Sequence, residues 1–160
     1  MQRIGLASVA VLLGSVPLAA QTPDQLAGVW SVVKIETVAP DGKRTPAFGD
    51  NPHTQLILTA NGYFSQFFMR SDVPKFASNN RMTGTPEENA AVVKGATSAI
   101  GTYTIADKVV TLNMTASTFP NWTGTSQPRP IVSFSGDELV WRVPAASGGN
   151  SIETVWRRLK

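Results

Sequence analysis

The chain contains no cysteine and a single histidine, His53. The first absence excludes a disulfide framework, a thiolate metal site, an iron–sulfur cluster and a cysteine nucleophile. The second excludes a two-histidine metal site and leaves a histidine-based triad without support. Charge is scarce as well: Asp, Glu, Lys and Arg make up 16% of the 160 residues, well under the quarter or so usual in a soluble domain. With 14 basic and 11 acidic residues the formal charge is +3, too small to argue for nucleic acid or an anionic membrane surface as partner. The nearest thing to a basic cluster is Trp156-Arg157-Arg158-Leu159-Lys160, which a solvated tail explains equally well. No pattern for a metal or an organic cofactor is present, and none is expected. What the chain does have is 42% hydrophobic residues, 13 Gly and 11 Pro, enough apolar mass for one core cut by many turns.

The first twenty residues read as a leader. Met1-Gln2-Arg3 is a short positive start, Ile4 to Leu18 is apolar and uncharged, and Ala19-Ala20-Gln21 supplies small residues at a cleavage point. That is the layout of a secretory signal peptide. The apolar stretch of about 15 residues is shorter than the roughly 20 that cross a bilayer. No cysteine follows it, which excludes a lipid-anchored lipoprotein. The expectation is a signal peptide over 1–20 and one domain over 21–160, periplasmic or secreted, with no integral membrane segment in the mature chain.

That domain reads as all-β. Short runs rich in Val, Ile, Thr and aromatics are cut by turn residues. The runs are Val29–Val38, Thr54–Ala60, Tyr63–Arg70, Gly101–Ala106, Val109–Ala116, Pro130–Ser135, Glu138–Val143 and Ile152–Arg158. Turn signals between them include Ala39-Pro40-Asp41-Gly42, Asp107-Lys108 and Gly136-Asp137. Asn61-Gly62 predicts a two-residue type I′ hairpin. One helix interrupts the series: Thr85-Pro86-Glu87-Glu88 is a capping box with Pro at the first helical position, and the helix is expected near 86–98. Eight strands in hairpin order predict a closed eight-stranded antiparallel up-and-down barrel, which removes sheet edges and holds either packed side chains or one small ligand.

Two stretches carry a resemblance. Leu26-Ala27-Gly28-Val29-Trp30 has the Gly-x-Trp opening of lipocalins. The middle of the chain is more specific: Asn61-Gly62-Tyr63-Phe64-Ser65, Met69-Arg70-Ser71-Asp72-Val73-Pro74-Lys75-Phe76, Gly84-Thr85-Pro86-Glu87-Glu88, Gly101-Thr102-Tyr103 and Ser117-Thr118-Phe119-Pro120-Asn121-Trp122-Thr123-Gly124-Thr125. This order resembles the bacterial and fungal lipocalin-like domain family, from Leu26 to about Arg158. The resemblance implies a calycin-type barrel with an internal cavity. Some barrels of this broad type bind small hydrophobic molecules, and some relatives cyclise or isomerise secondary metabolites. Family members often carry histidines on the strand before the Phe-Pro-Asn-Trp motif. Here Val109–Thr115 has none, so a proton-transfer role based on them does not carry over.

A two-residue turn at Asn61-Gly62 would pair Ala60 with Tyr63, Leu58 with Ser65, Leu56 with Phe67 and Thr54 with Met69. Paired residues share a face. That face is uncharged and mostly apolar, so it is assigned to the lumen; a one-residue slip would exchange the faces. The expected ligand-binding residues are Trp30, Leu56, Leu58, Tyr63, Phe67, Met69, Tyr103 and Trp122, with Trp30 towards the floor and Trp122 near the mouth. Arg157 or Arg158 is placed to stack over Trp30. Arg70, Asp72, Lys75 and Arg81 read as a solvated charged loop or, alternatively, the rim of a cavity.

Three functions fit this reading. The first is an exported protein that binds a small, mostly hydrophobic molecule in the barrel. The second is a cyclase- or isomerase-type enzyme using Tyr63, Tyr103 or Arg70 as a donor. The third is a ligand-free structural barrel of the cell envelope. No acid–base pair or nucleophile constellation is visible, which weighs against catalysis, and no catalytic residue is assigned. Oligomeric state is left open by the sequence.

Overall fold

The computed structural model describes residues 21–146 and 148–160; the expected leader lies outside them. Among the described residues nine strands form one antiparallel sheet. They are β1 (Gly28–Val38), β2 (Arg44–Pro46), β3 (His53–Leu58), β4 (Tyr63–Met69), β5 (Ala96–Ala106), β6 (Val109–Ser117), β7 (Ser126–Phe134), β8 (Glu138–Val143) and β9 (Ser151–Arg158). Each pairs with a sequence neighbour, except that β3 joins β1 rather than β2, and β1 also pairs with β9. The sheet therefore closes. The first residues of β1, Gly28–Trp30, pair with β3, while Glu36–Val38 pair with the three-residue β2. Eight strands make the barrel, and β2 is a short ribbon folded back along β1 by the Ala39–Lys43 turn.

Two strands start several residues before their sequence runs. β5 begins at Ala96 because Ala96–Ser98 pair with Met69–Phe67, and this pairing ends the helix α2 (Pro86–Gly95) before Ser98. β7 begins at Ser126 despite Pro128 and Pro130, which look like breakers. There β7 pairs with β6 alone, since its ladder to β8 starts at Ile131. The Ile131 N–H donates to Lys108 on the β6 side. By strand alternation the missing proline donors face the side that has no partner.

α2 starts as the sequence predicts. Thr85 Oγ1 accepts from the Glu88 N–H at 3.2 Å, and Glu88 Oε2 accepts from the Thr85 N–H at 2.8 Å. A four-residue helix, α1 (Pro23–Leu26), was not evident from the sequence.

The hairpin between β3 and β4 differs from the predicted one, and the difference moves the site. Thr59 and Tyr63 close a three-residue loop, with the Gly62 N–H donating to Thr59 O at 3.0 Å. Gly62 takes φ 84, while Asn61 does not reach positive φ. This is a type I turn with a left-handed glycine, the usual three-residue alternative to type I′. The type I′ signature of two successive positive φ values is found instead at Asp107 and Lys108, between β5 and β6. The one-residue change gives the register Leu58↔Phe64, Leu56↔Gln66 and Thr54↔Phe68. Leu56 and Leu58 do face the interior, but their β4 partners are Phe64, Gln66 and Phe68. Tyr63, Phe67 and Met69 fall on the opposite face.

A second register change tunes the interior. β1 bulges at Val33, so the inward set passes from Trp30 and Val32 to Ile35 and Thr37. Val33 itself is exposed.

Candidate functional site

The two ends of the barrel differ. At one end α1 folds across the opening. Trp30 Nε1 donates to Leu26 O at 3.0 Å, and the Tyr103 hydroxyl donates to Thr59 O at 2.8 Å beside α1. Arg158 lies over Trp30, 4.1 Å from the ring centroid. Its guanidinium donates to the carbonyls of Ala27, Gln25 and Gly136. Gly28, at φ 147, leaves room for it: a Cβ there would stand 2.6 Å from Arg158 Nη1. The Gly-x-Trp opening thus seals this end. Above it Leu26, Leu56, Leu58, Phe64, Leu112 and Leu139 are packed to the core.

The other end is open. A cavity of about 780 Å³ lies there, within the size range of ligand clefts. An aromatic row marks the boundary between filled and open halves. Phe48 stacks on Phe68 at 5.3 Å between centroids, Phe68 meets Trp156 at 5.5 Å, and Trp156 meets Trp141 edge-on at 5.5 Å. Phe48, Phe68 and Trp141 line the cavity, with Ile35 and Ile152 on its wall. Val93 and Lys94 of α2, Trp122, and Pro144–Ala146 after β8 also line it. Trp122 is braced by Phe119, ring to ring at 5.6 Å; its 3-10 turn, Pro120–Trp122, follows β6 directly.

Of the eight residues the sequence put forward, Trp122 lines this cavity. Trp30, Leu56, Leu58 and Tyr103 are buried, but in the filled half. Tyr63 and Phe67 are 57% and 40% exposed on the outside of β4, and the half-buried Met69 shares that face. The lumen assignment for these three is corrected by the three-residue loop. None of the proposed donors reaches the cavity: Tyr63 is outside, Tyr103 is at the sealed end, and Arg70 is held by Asp72 in a two-bond pair at 2.6 and 2.8 Å. That pair lowers the Asp72 carboxyl from its ordinary range through its hydrogen bonds with Arg70. Asp72, Lys75 and Arg81 are not among the lining residues either.

Polar residues that the sequence did not single out line the cavity too, among them Gln66, Thr97, Gln127 and Arg129. Arg129 is 5% exposed and is the only buried charged residue among those described. Burial pulls its pKa down to about 10, still well above neutral pH, so it carries a positive charge. Its Nη2 donates to Gln127 Oε1 at 2.7 Å and its Nη1 to Pro128 O at 2.9 Å. The alternation that points Arg129 inward was hidden by its two flanking prolines. Gln66 and Phe68 were hidden by the same slip that misplaced Phe67. Among the described residues no cluster of three or more His, Asp or Glu is placed to hold a metal ion, and no helix is long and apolar enough to cross a membrane.

Residues 27–159 match the family described as a lipocalin-like domain. A 79-residue stretch, 44% of this chain and 70% of the relative, is 33% identical to a protein of Aspergillus oryzae (strain ATCC 42149 / RIB 40) named 4'-hydroxy-3'-methoxypropiophenone carrier protein ppsC. Solved structures similar to this one include an uncharacterized protein from Bacteroides eggerthii DSM 20697, at TM-score 0.43 and 13% identity, covering 83% of this chain and 98% of that one. Another is bovine odorant binding protein in complex with a selenium-containing odorant, at TM-score 0.43 and 14% identity, covering 92% of this chain and 78% of that one.

Proposed function

Because the chain belongs to the lipocalin-like domain family, we propose that it is a carrier that binds a small, mostly hydrophobic molecule in the open half of its barrel. The observation that carries this reading is the cavity of about 780 Å³ with Phe48, Phe68, Trp141 and Ile152 on its walls. Apolar surface buried there leaves water, which drives binding without requiring directional contacts. Gln66, Thr97, Gln127 and Arg129 are among the polar groups that can orient a ligand. The name of the Aspergillus relative, a carrier of a small aryl ketone, agrees with this reading. On the leader-like stretch Met1–Ala20 we further propose that the carrier works outside the cytoplasm. N-terminal sequencing of the protein from its host checks that point: an intact Met1 in the cytosolic fraction contradicts it.

The binding reading is tested by titration with phenylnaphthylamine, an uncharged apolar fluorophore. Saturable one-to-one binding, with loss of tryptophan emission from Trp141 and Trp122, is expected. Absence of saturable binding by the folded protein contradicts the reading and favours a ligand-free barrel.

A further inference from the structure

We infer that the cavity is built for an apolar molecule with one anionic oxygen group, a carboxylate, and that Arg129 is the residue that receives it. This deepens the binding reading above and rests on it. The structural ground is an unbalanced charge. Arg44, Arg70, Arg142, Arg157 and Arg158 each stand within ion-pair distance of a carboxylate, and all are more exposed than Arg129. Arg129 is 5% exposed, and no acidic side chain meets it among the described residues. Among the described residues the cavity lining holds no Asp or Glu, yet includes a second cation, Lys94. A buried charge without a counter-charge is costly, and proteins ordinarily pair it.

The geometry fits a guanidinium kept ready. A guanidinium has five N–H donors, and the structure uses two, on Gln127 Oε1 and Pro128 O. Gln127 and Arg129 share the inward face of β7, so the first bond fixes the orientation of the guanidinium and leaves donors for a carboxylate. A further group is unpartnered in the same cavity: Thr97 Oγ1 is buried without a hydrogen-bond partner, and it offers a hydroxyl to a polar head. The aromatic row supplies the apolar complement.

The test compares decanoate with decanol, equal in chain length and different in charge, by displacement of phenylnaphthylamine at neutral pH. The wild-type protein is expected to bind decanoate roughly 10- to 100-fold more tightly than decanol, the range of hydrogen bonds to a charged group. Arg129→Met should abolish that preference, weakening decanoate far more than decanol; a decanoate preference that survives the substitution overturns the role of Arg129. Arg129→Lys should restore part of it, since charge returns without the two-pronged geometry. Equal binding of the two ligands by wild-type protein overturns the inference and leaves the pocket reading standing. Binding of neither, with phenylnaphthylamine also unbound, overturns the pocket reading and the inference together. The wild-type comparison does not depend on any variant folding.

Discussion

Arg158, from the last strand, covers Trp30, from the first, at 4.1 Å from its ring centroid. The same guanidinium gathers carbonyls from α1 and from the β7–β8 turn. One side chain thereby joins both termini of the domain and seals one end of the barrel. Arg158→Met is expected to cost about 2–4 kcal/mol, combining the cation–π contact with lost charged hydrogen bonds. Denaturant unfolding measures it. Phenylnaphthylamine affinity should be unchanged, because the sealed end is separated from the cavity by packed core.

The β3–β4 register makes neighbouring phenylalanines behave in opposite ways. Phe67→Ser, on the outer face, should cost less than about 1 kcal/mol. Phe68→Ala, at the boundary of the cavity, should cost about 3–5 kcal/mol and weaken probe binding. The reverse order of the two costs would restore the two-residue hairpin.

Glu36 of β1 and Glu153 of β9 stand opposite each other in the ladder, a like-charge arrangement that destabilises a sheet. Arg44 of β2 bridges them, with Nη1 at 3.1 and 2.8 Å from their carboxylates. Hydrogen bonds from Arg44 and then Arg142 hold the Glu153 carboxyl below its ordinary value. Glu36 is lowered by Lys34 first, then Arg44. A lowered carboxyl stabilises the fold above its unfolded-state value and loses that contribution as pH falls through its folded-state value. Arg44→Ala should therefore destabilise most near neutral pH, and the difference from wild type should shrink below about pH 4. A difference that stays constant through that range contradicts the bridge.

The barrel itself was legible because it rests on repeated signals. Eight β-rich runs, their turn residues and the Thr85–Glu88 capping box each point to the same architecture, and small boundary errors do not alter it. The site was much less legible, because its lining depends on register. Asn61-Gly62 suits two different turns, and the shorter one would place Tyr63, Phe67 and Met69 inward instead of Phe64, Gln66 and Phe68. Leu56 and Leu58 were correctly read as inward, but nothing in a strand pattern tells which half of a barrel is filled. That is decided by how Phe68, Trp141 and Trp156 meet in space. Arg129 is hidden in the sequence for a local reason: Pro128 and Pro130 interrupt the alternation that points it inward.

Under the proposed function the open half of this barrel, and not its packed half, receives a ligand. Heteronuclear NMR with phenylnaphthylamine tests it most directly. Chemical-shift changes are expected to concentrate at Phe68, Thr97, Arg129, Trp141 and Ile152, with Leu56, Leu58 and Tyr103 undisturbed. Shifts centred on Leu56, Leu58 and Tyr103, or spread over the outer face around Tyr63 and Phe67, would contradict it.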